Sequence, residues 1–275
     1  MKKFSAMAIV VAFLCFSFIR EIPSEPSKAL RYVNYSIFGK DYARTPIFDT
    51  ELKGHVYYIV SGHGGPDPGA MHKKDGKWLC EDEYAYDVSL RLARNLIGHG
   101  AKVYMITRDE NDGIRDEQFL LPDKDETVWG GAHMPLNQKA RLKQRSEAIN
   151  KLYFENRNKG YTHQKTIITH VDSRYHQKKI DVFFYHNPQS SSGHALANTL
   201  YRTVKNQYEK HQNDRGYEGV VESRNLWMLR ETIPTAVYIE LGNISNPFDQ
   251  KRLLIPNNRQ AIANWLAQGV LQGDK

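Results

Sequence analysis

Four residues in this chain carry chemistry that packing alone does not call for. His63 stands in Ser61-Gly62-His63-Gly64-Gly65-Pro66-Asp67-Pro68-Gly69-Ala70, directly after the apolar run Tyr57-Tyr58-Ile59-Val60. His170 closes Lys165-Thr166-Ile167-Ile168-Thr169 and is followed by Val171-Asp172. Glu240 follows Val237-Tyr238-Ile239. Glu81, with Asp82 and Glu83 beside it, opens an amphipathic run that reaches Leu96. Two imidazoles and one carboxylate make a catalytic zinc set that leaves a fourth position open to water. Such a centre acidifies water and polarises a carbonyl, and a further carboxylate can serve as its base.

The elements that must position these groups follow from the hydrophobic pattern. The runs ahead of His63, His170 and Glu240 read as buried parallel strands. Open α/β sheets bind ligands beyond the carboxyl ends of their strands, which is where these three residues fall. Strands are expected at 55–61, 102–107, 165–170, 180–186 and 235–240, and helices at 82–97, 138–157, 193–210 and 258–271. Their alternation predicts one α/β domain with a largely parallel twisted sheet and helices on both faces. Gly98 and Gly100 end the first helix, Pro256 stops what precedes the last one, and Asn257 or Asn258 is the expected cap of that last helix.

Each candidate also has a plainer reading. His63 could be a turn residue whose glycines serve only a tight bend. Acidic residues such as Glu81 suit any helix N-terminus through the dipole. Glu240 could belong to a structural ion pair, since an uncompensated charge after so apolar a strand is costly. His170 competes with His163, His176 and His186, and His186, which ends the strand-like run Asp181 to Tyr185, is the reserve ligand. Cys80 adjoins Glu81, but a fourth protein ligand would close the catalytic position, so a small semi-buried side chain is the simpler assignment.

The wider composition is that of a globular protein: 275 residues, 25% charged and 40% hydrophobic. A net charge of +7 is spread along the chain, which fits a solvated surface or attraction to an anionic envelope polymer. No nucleic-acid motif is evident. Lys2-Lys3 precede an apolar run from Phe4 to Ile19, so residues 1–20 read as an export signal or short anchor, and the protein is expected in the periplasm or cell envelope with a membrane tether left open. Residues 21–53 read as a linker or wrapping arm, and 54–273 as the catalytic domain. With only Cys15 and Cys80, the fold does not rest on a disulfide. The polar stretch 110–137 is too long for an ordinary connection and is expected to be a mobile loop that forms a wall of the substrate groove or partly covers it, against the plainer reading of a surface decoration away from the metal.

The ordered set of motifs resembles the type 3 family of zinc-dependent N-acetylmuramoyl-L-alanine amidases. Gly62 to Ala70 match its Gly-His-Gly-Gly-x-Asp-x-Gly-Ala, and Thr107-Arg108-Asp109 match its Thr-Arg-Asp strand. Arg145 and Asn150 match its Arg and Asn five apart, His170-Val171-Asp172 its second His strand, and Pro234 to Asn246 its last motif. The spacing of the family's metal-binding Glu ahead of a Leu-x-Leu-Ala segment selects Glu81 over Asp82 and Glu83. Ser61 and Asn243 depart from the family's usual residues, and the link from Asp109 to Arg145 is longer than the family's. The resemblance implies Zn2+ held by His63, Glu81 and His170, with Glu240 as general base. It implies substrate contacts from Asn246 and from Arg230, for which a structural ion pair is an equal reading, and peptidoglycan as the partner, cut between N-acetylmuramic acid and L-alanine. The alternatives are a zinc peptidase acting on stem peptides and a catalytically inactive wall-binding module.

Overall fold

The computed structural model describes residues 29–173, 178–212 and 215–274; the expected export segment 1–20 and His176 lie outside them. The chain enters through a hairpin of β1 (Arg31–Asn34) and β2 (Arg44–Ile47), whose neighbours Phe38 and Leu52 are buried in the main core. β3 (His55–Ser61) then crosses the molecule, and a hairpin of β4 (Met71–Lys74) and β5 (Lys77–Cys80) leads straight into α1 (Glu81–Gly98). β6 (Lys102–Met105) is followed by a small meander of β7 (Thr107–Arg108), β8 (Thr127–Val128) and β9 (Ala132–His133), then by α2 (Gln138–Asn158). β10 (His163–Asp172), β11 (Phe183–His186), α3 (Ser191–His211), β12 (Val221–Ser223), α4 (Trp227–Glu231) and β13 (Thr235–Asn243) complete the sheet region. α5 (Pro247–Leu254) and α6 (Pro256–Gly273) close the chain.

The central sheet has the order β12-β11-β13-β10-β3-β6. All neighbours run parallel except β11 against β13, so the fold is an α/β domain on a largely parallel sheet. Side chains alternate between faces along each strand. Tyr57, Ile59, Ile167, Val237 and Ile239 pack with α1, α3 and α6 on one side. Val56, Tyr58, Val60, Ile168 and Ala236 pack with α2 and α4 on the other. Burial on both faces is why these strands read as continuous apolar runs.

Two local expectations change. β6 stops at Met105 because the chain leaves the sheet to pair Thr107 with Val128. The last helix begins at Pro256, with Ile255 at its N-cap, so Asn257 and Asn258 lie inside it. Proline suits that first turn because its missing N–H would have no helical partner there. Asn258 Nδ2 instead donates to the Lys251 carbonyl at 2.9 Å, tying α6 to α5.

The stretch 110–137 is built into the fold rather than left as a free loop. Ile114 and Leu120 are buried in the core beside α1, and Val128 and Met134 in the core beside α2. A buried charge network holds its backbone: Asp87 accepts from Arg91 at 2.7 Å and from Arg259 at 2.6 Å, and both arginines also donate to the Arg115 carbonyl. Removing one member of such a fully buried pair typically costs about 3–5 kcal/mol.

Candidate metal centre

β13, β10 and β3 are adjacent and parallel, so their carboxyl ends form one ledge. His170 lies near the end of β10, in register with Glu240 on β13. β3 ends at Ser61, and Gly62-His63-Gly64 turns off the same ledge. Gly62 admits the approach of the second imidazole: a Cβ there would lie 2.1 Å from His170 Cε1. Gly69 has φ +69°, and a Cβ on it would come within 2.7 Å of both Glu81 Oε2 and the His63 ring. His63 itself adopts φ 59°, a left-handed conformation that non-glycine residues visit mainly at special sites.

Three side chains from three separate stretches meet here. His63 Nε2 lies 3.2 Å from Glu81 Oε2, and His170 Nδ1 lies 2.7 Å from Glu81 Oε1. One ligand atom from each of the three falls within 4.8 Å of the others. Backbone N–H groups fix the carboxylate: Val171 donates to Oε1 at 3.0 Å and Ala70 to Oε2 at 2.8 Å. Asp67 Oδ2 faces His63 Nδ1 at 3.0 Å, which leaves Nε2 turned to the cluster. His170 stacks on Tyr238, ring centroids 4.3 Å apart.

The electrostatics follow from this packing. Burial alone would lower the His63 pKa, but the Asp67 and Glu81 carboxylates outweigh it and raise it to about 10. Burial opposes ionisation of Glu81 too, yet the His170 and His63 rings hold it well below the usual carboxylate range. His170 is pushed down, chiefly by burial, so it stays neutral. A buried carboxylate flanked by two imidazoles, one with a carboxylate behind it, is the donor set and outer support of a mononuclear zinc site. The residues present therefore fit a metal of that class.

Beside the cluster opens a cavity of about 190 Å³ whose lining includes His63, His170, Tyr238, Trp227, Arg141 and Arg145. Arg141 donates to Asp67 and to the Leu136 carbonyl. Arg145 donates to the His63 carbonyl, and burial lowers its pKa to about 10. Asp67, Arg141, Arg145 and Tyr238 were given no role from sequence. The available signals were the acid four residues after His63 and two arginines one helical turn apart. The lining residues include none from 110–137; that stretch instead backs the His63 loop, with Glu126 accepting from the Gly65 N–H at 2.6 Å.

The remaining candidates have other surroundings. Glu240 is buried on the ledge next to His170. Arg230 is half-exposed and bonds Glu231 at 2.7 Å and Asn225 at 2.8 Å. Asn246 caps α5, accepting from Phe248 and Asp249, and lines a separate cavity of about 440 Å³. His186 accompanies neither: β11 runs antiparallel to β13, so its carboxyl end points away from the ledge. Cys80 is buried and free, and burial pushes its thiol up to about 12, which keeps it protonated. Asn150 clamps α2 to the turn after α4 through the Glu231 carbonyl and the Ile233 N–H.

The chain belongs to a known class: residues 58–272 match the N-acetylmuramoyl-L-alanine amidase family, and the chain is a member of it. Among curated proteins it is 28% identical over 219 residues to the "Probable cell wall amidase LytH" of Staphylococcus aureus. That match covers 80% of this chain, and the chain spans 58% of the relative's length. Solved structures share the fold. The CwlD amidase of Clostridioides difficile, solved with the GerS lipoprotein, superposes with a TM-score of 0.58 at 19% identity, covering 80% of this chain and 98% of that one. The amidase AmiC2 of Nostoc punctiforme gives 0.55 at 18% identity, covering 80% and 96%.

Proposed function

We propose that this protein is an exported zinc-dependent N-acetylmuramoyl-L-alanine amidase that hydrolyses the amide between N-acetylmuramic acid and L-alanine in peptidoglycan. The observation that carries this reading is the meeting of His63, Glu81 and His170 on the ledge where Glu240 is the register neighbour of His170. Family membership and a related cell-wall amidase supply the substrate class. His63, Glu81 and His170 would hold the ion, and zinc when bound supplies an acidified water and a polarised amide carbonyl.

The chain's own residues do the rest. Asp67 holds the His63 ring so that Nε2 faces the cluster. Tyr238 fixes the plane of His170. Glu240 takes a proton from the attacking water and delivers it to the departing alanine nitrogen, so one carboxylate serves as base and then as acid. Trp227 and Tyr238 give the adjoining cavity apolar faces, and Arg141 and Arg145 give it positive charge suited to an acidic stem peptide.

The test of this assignment is Glu240→Gln. The amide cannot accept the proton, so turnover on purified wall material should fall by about 10²–10⁴-fold while zinc content stays at the wild-type level. Wild-type turnover in that variant would remove Glu240 from the mechanism.

A further inference from the structure

A second group of carboxylates lies behind the His63 loop. Asp82, Glu83 and Glu126 are 2%, 3% and 5% exposed, and one oxygen from each falls within 4.8 Å of the others. Their hydrogen bonds are few. Asp82 Oδ1 accepts from the Glu83 N–H at 3.0 Å, and Glu83 Oε1 from the Asp123 N–H at 3.2 Å. Glu126 Oε2 accepts from the Gly65 N–H at 2.6 Å. Among the described residues, Arg115 is the cation in direct ion pairing with this group: it reaches Glu83 Oε2 at 2.8 Å and also pairs with Asp112, while the charges of His63 and Arg145 act on Asp82 and Glu126 from farther off. Asp82 Oδ2 is enclosed and has no hydrogen-bond partner among the described residues. Three buried carboxylates thus face one another with one direct ion pair between them, at Glu83, which leaves Asp82 and Glu126 without a contacting cation among the described residues.

We propose that Asp82, Glu83 and Glu126 form a second cation site, for a hard divalent ion of the calcium class, that ties the 110–137 stretch to the loop carrying His63. The donor set is all oxygen and all acidic, which suits calcium, whereas zinc sites usually include nitrogen or sulfur ligands beside any carboxylate. Calcium is also favoured over magnesium, which demands octahedral geometry and keeps several waters. The three ligands come from α1 and from the stretch just before β8, and Glu126 already holds Gly65, two residues after His63. Glu126 also approaches Gly64 closely enough that a Cβ there would lie 3.4 Å from its own Cβ. A cation at this point thus braces the backbone on which His63 sits, through residues other than His63, Glu81 and His170. The proposal does not depend on which bond the protein cuts.

The experiment titrates the zinc-loaded full chain with calcium chloride by calorimetry and follows thermal unfolding at rising calcium. One calcium should bind per chain, and the thermal midpoint should climb with the logarithm of free calcium, as expected for a ligand of the folded state. Zinc content should not change. Glu126→Gln and Asp82→Asn should each weaken calcium binding at least about tenfold, since ligand charge sets affinity at such sites. Magnesium at equal concentration should produce a smaller shift. For a variant that does not fold, terbium bound to the wild type provides the second measurement: calcium should displace it and added zinc should not. No calcium-dependent shift in the wild type, an unchanged calcium affinity in both variants, an equal response to magnesium, or absence of calcium-displaceable terbium would each overturn the assignment.

Discussion

Glu81, Asp82 and Glu83 are consecutive residues of one helical turn, yet they serve two clusters of different character. Glu81 points to two imidazoles, and the rings hold its carboxyl below the ordinary range despite burial. Asp82 points to Glu83 and Glu126, and burial together with those charges raises its pKa to about 8. Successive helical residues project about 100° apart, so a single turn addresses both the ledge of the sheet and the stretch behind it. A run of acids is therefore not one feature. The groups it meets decide whether each carboxylate is partnered by imidazole nitrogens or by other carboxylates.

The largest expected effect separates the two clusters. His170→Ala should lose bound zinc and activity on wall material together, while the calcium-dependent rise in thermal midpoint persists. Metal analysis and calcium melts on the same preparation check this; loss of both responses would mean that the clusters are one unit.

A smaller effect is expected from the residue that supports the His63 ring. Asp67→Asn removes the charge behind Nδ1, and such outer partners typically contribute about 10–100-fold in metal affinity. Competition with a chelator of known affinity measures the change, and an unaltered affinity would make Asp67 only a partner of Arg141.

The smallest effect concerns Asp109, which is buried beside Asp112 and Asp123. Burial first, then the neighbouring Asp112 and Asp123 charges, raises its pKa to about 7. A raised carboxyl favours the folded state below its unfolded value of about 3.9, and that stability is lost as pH rises through about 7. Asp109→Asn keeps an acceptor for the Asn111 and Asp112 N–H groups but removes the titration. Thermal midpoints of both proteins without calcium should therefore shift in the variant's favour between about pH 4 and pH 7. A constant difference would mean that Asp109 does not titrate in that window.

Much of the frame was legible because buried parallel strands are apolar on both faces. The runs at β3, β10 and β13 stand out for that reason, and the residue ending each one falls on the ledge. Short elements were not legible: α4 and α5 are 5 and 8 residues long, too brief for a helical period to declare itself. His186 shows a limit of the strand-end rule, which holds only for strands that run with the sheet. The stretch 110–137 read as a loop because Ile114, Leu120, Val128 and Met134 are widely spaced in polar sequence. Their burial depends on partners distant in the chain. For the same reason the roles of Arg141 and Arg145 came from packing: nothing local to α2 says which face meets the His63 loop.

Whether His63, Glu81 and His170 form the centre of a metal-dependent amidase is decided by the products of wall digestion. Purified peptidoglycan sacculi are digested with the protein as prepared, after exhaustive chelation, and after zinc is restored, and the products are read by mass spectrometry. Free stem peptides with an L-alanine amino terminus are expected, together with glycan strands whose muramic acid carries a free lactyl carboxylate, both absent after chelation and recovered with zinc. Cleavage within the stem peptide instead, or full digestion by the chelated protein, would contradict this assignment.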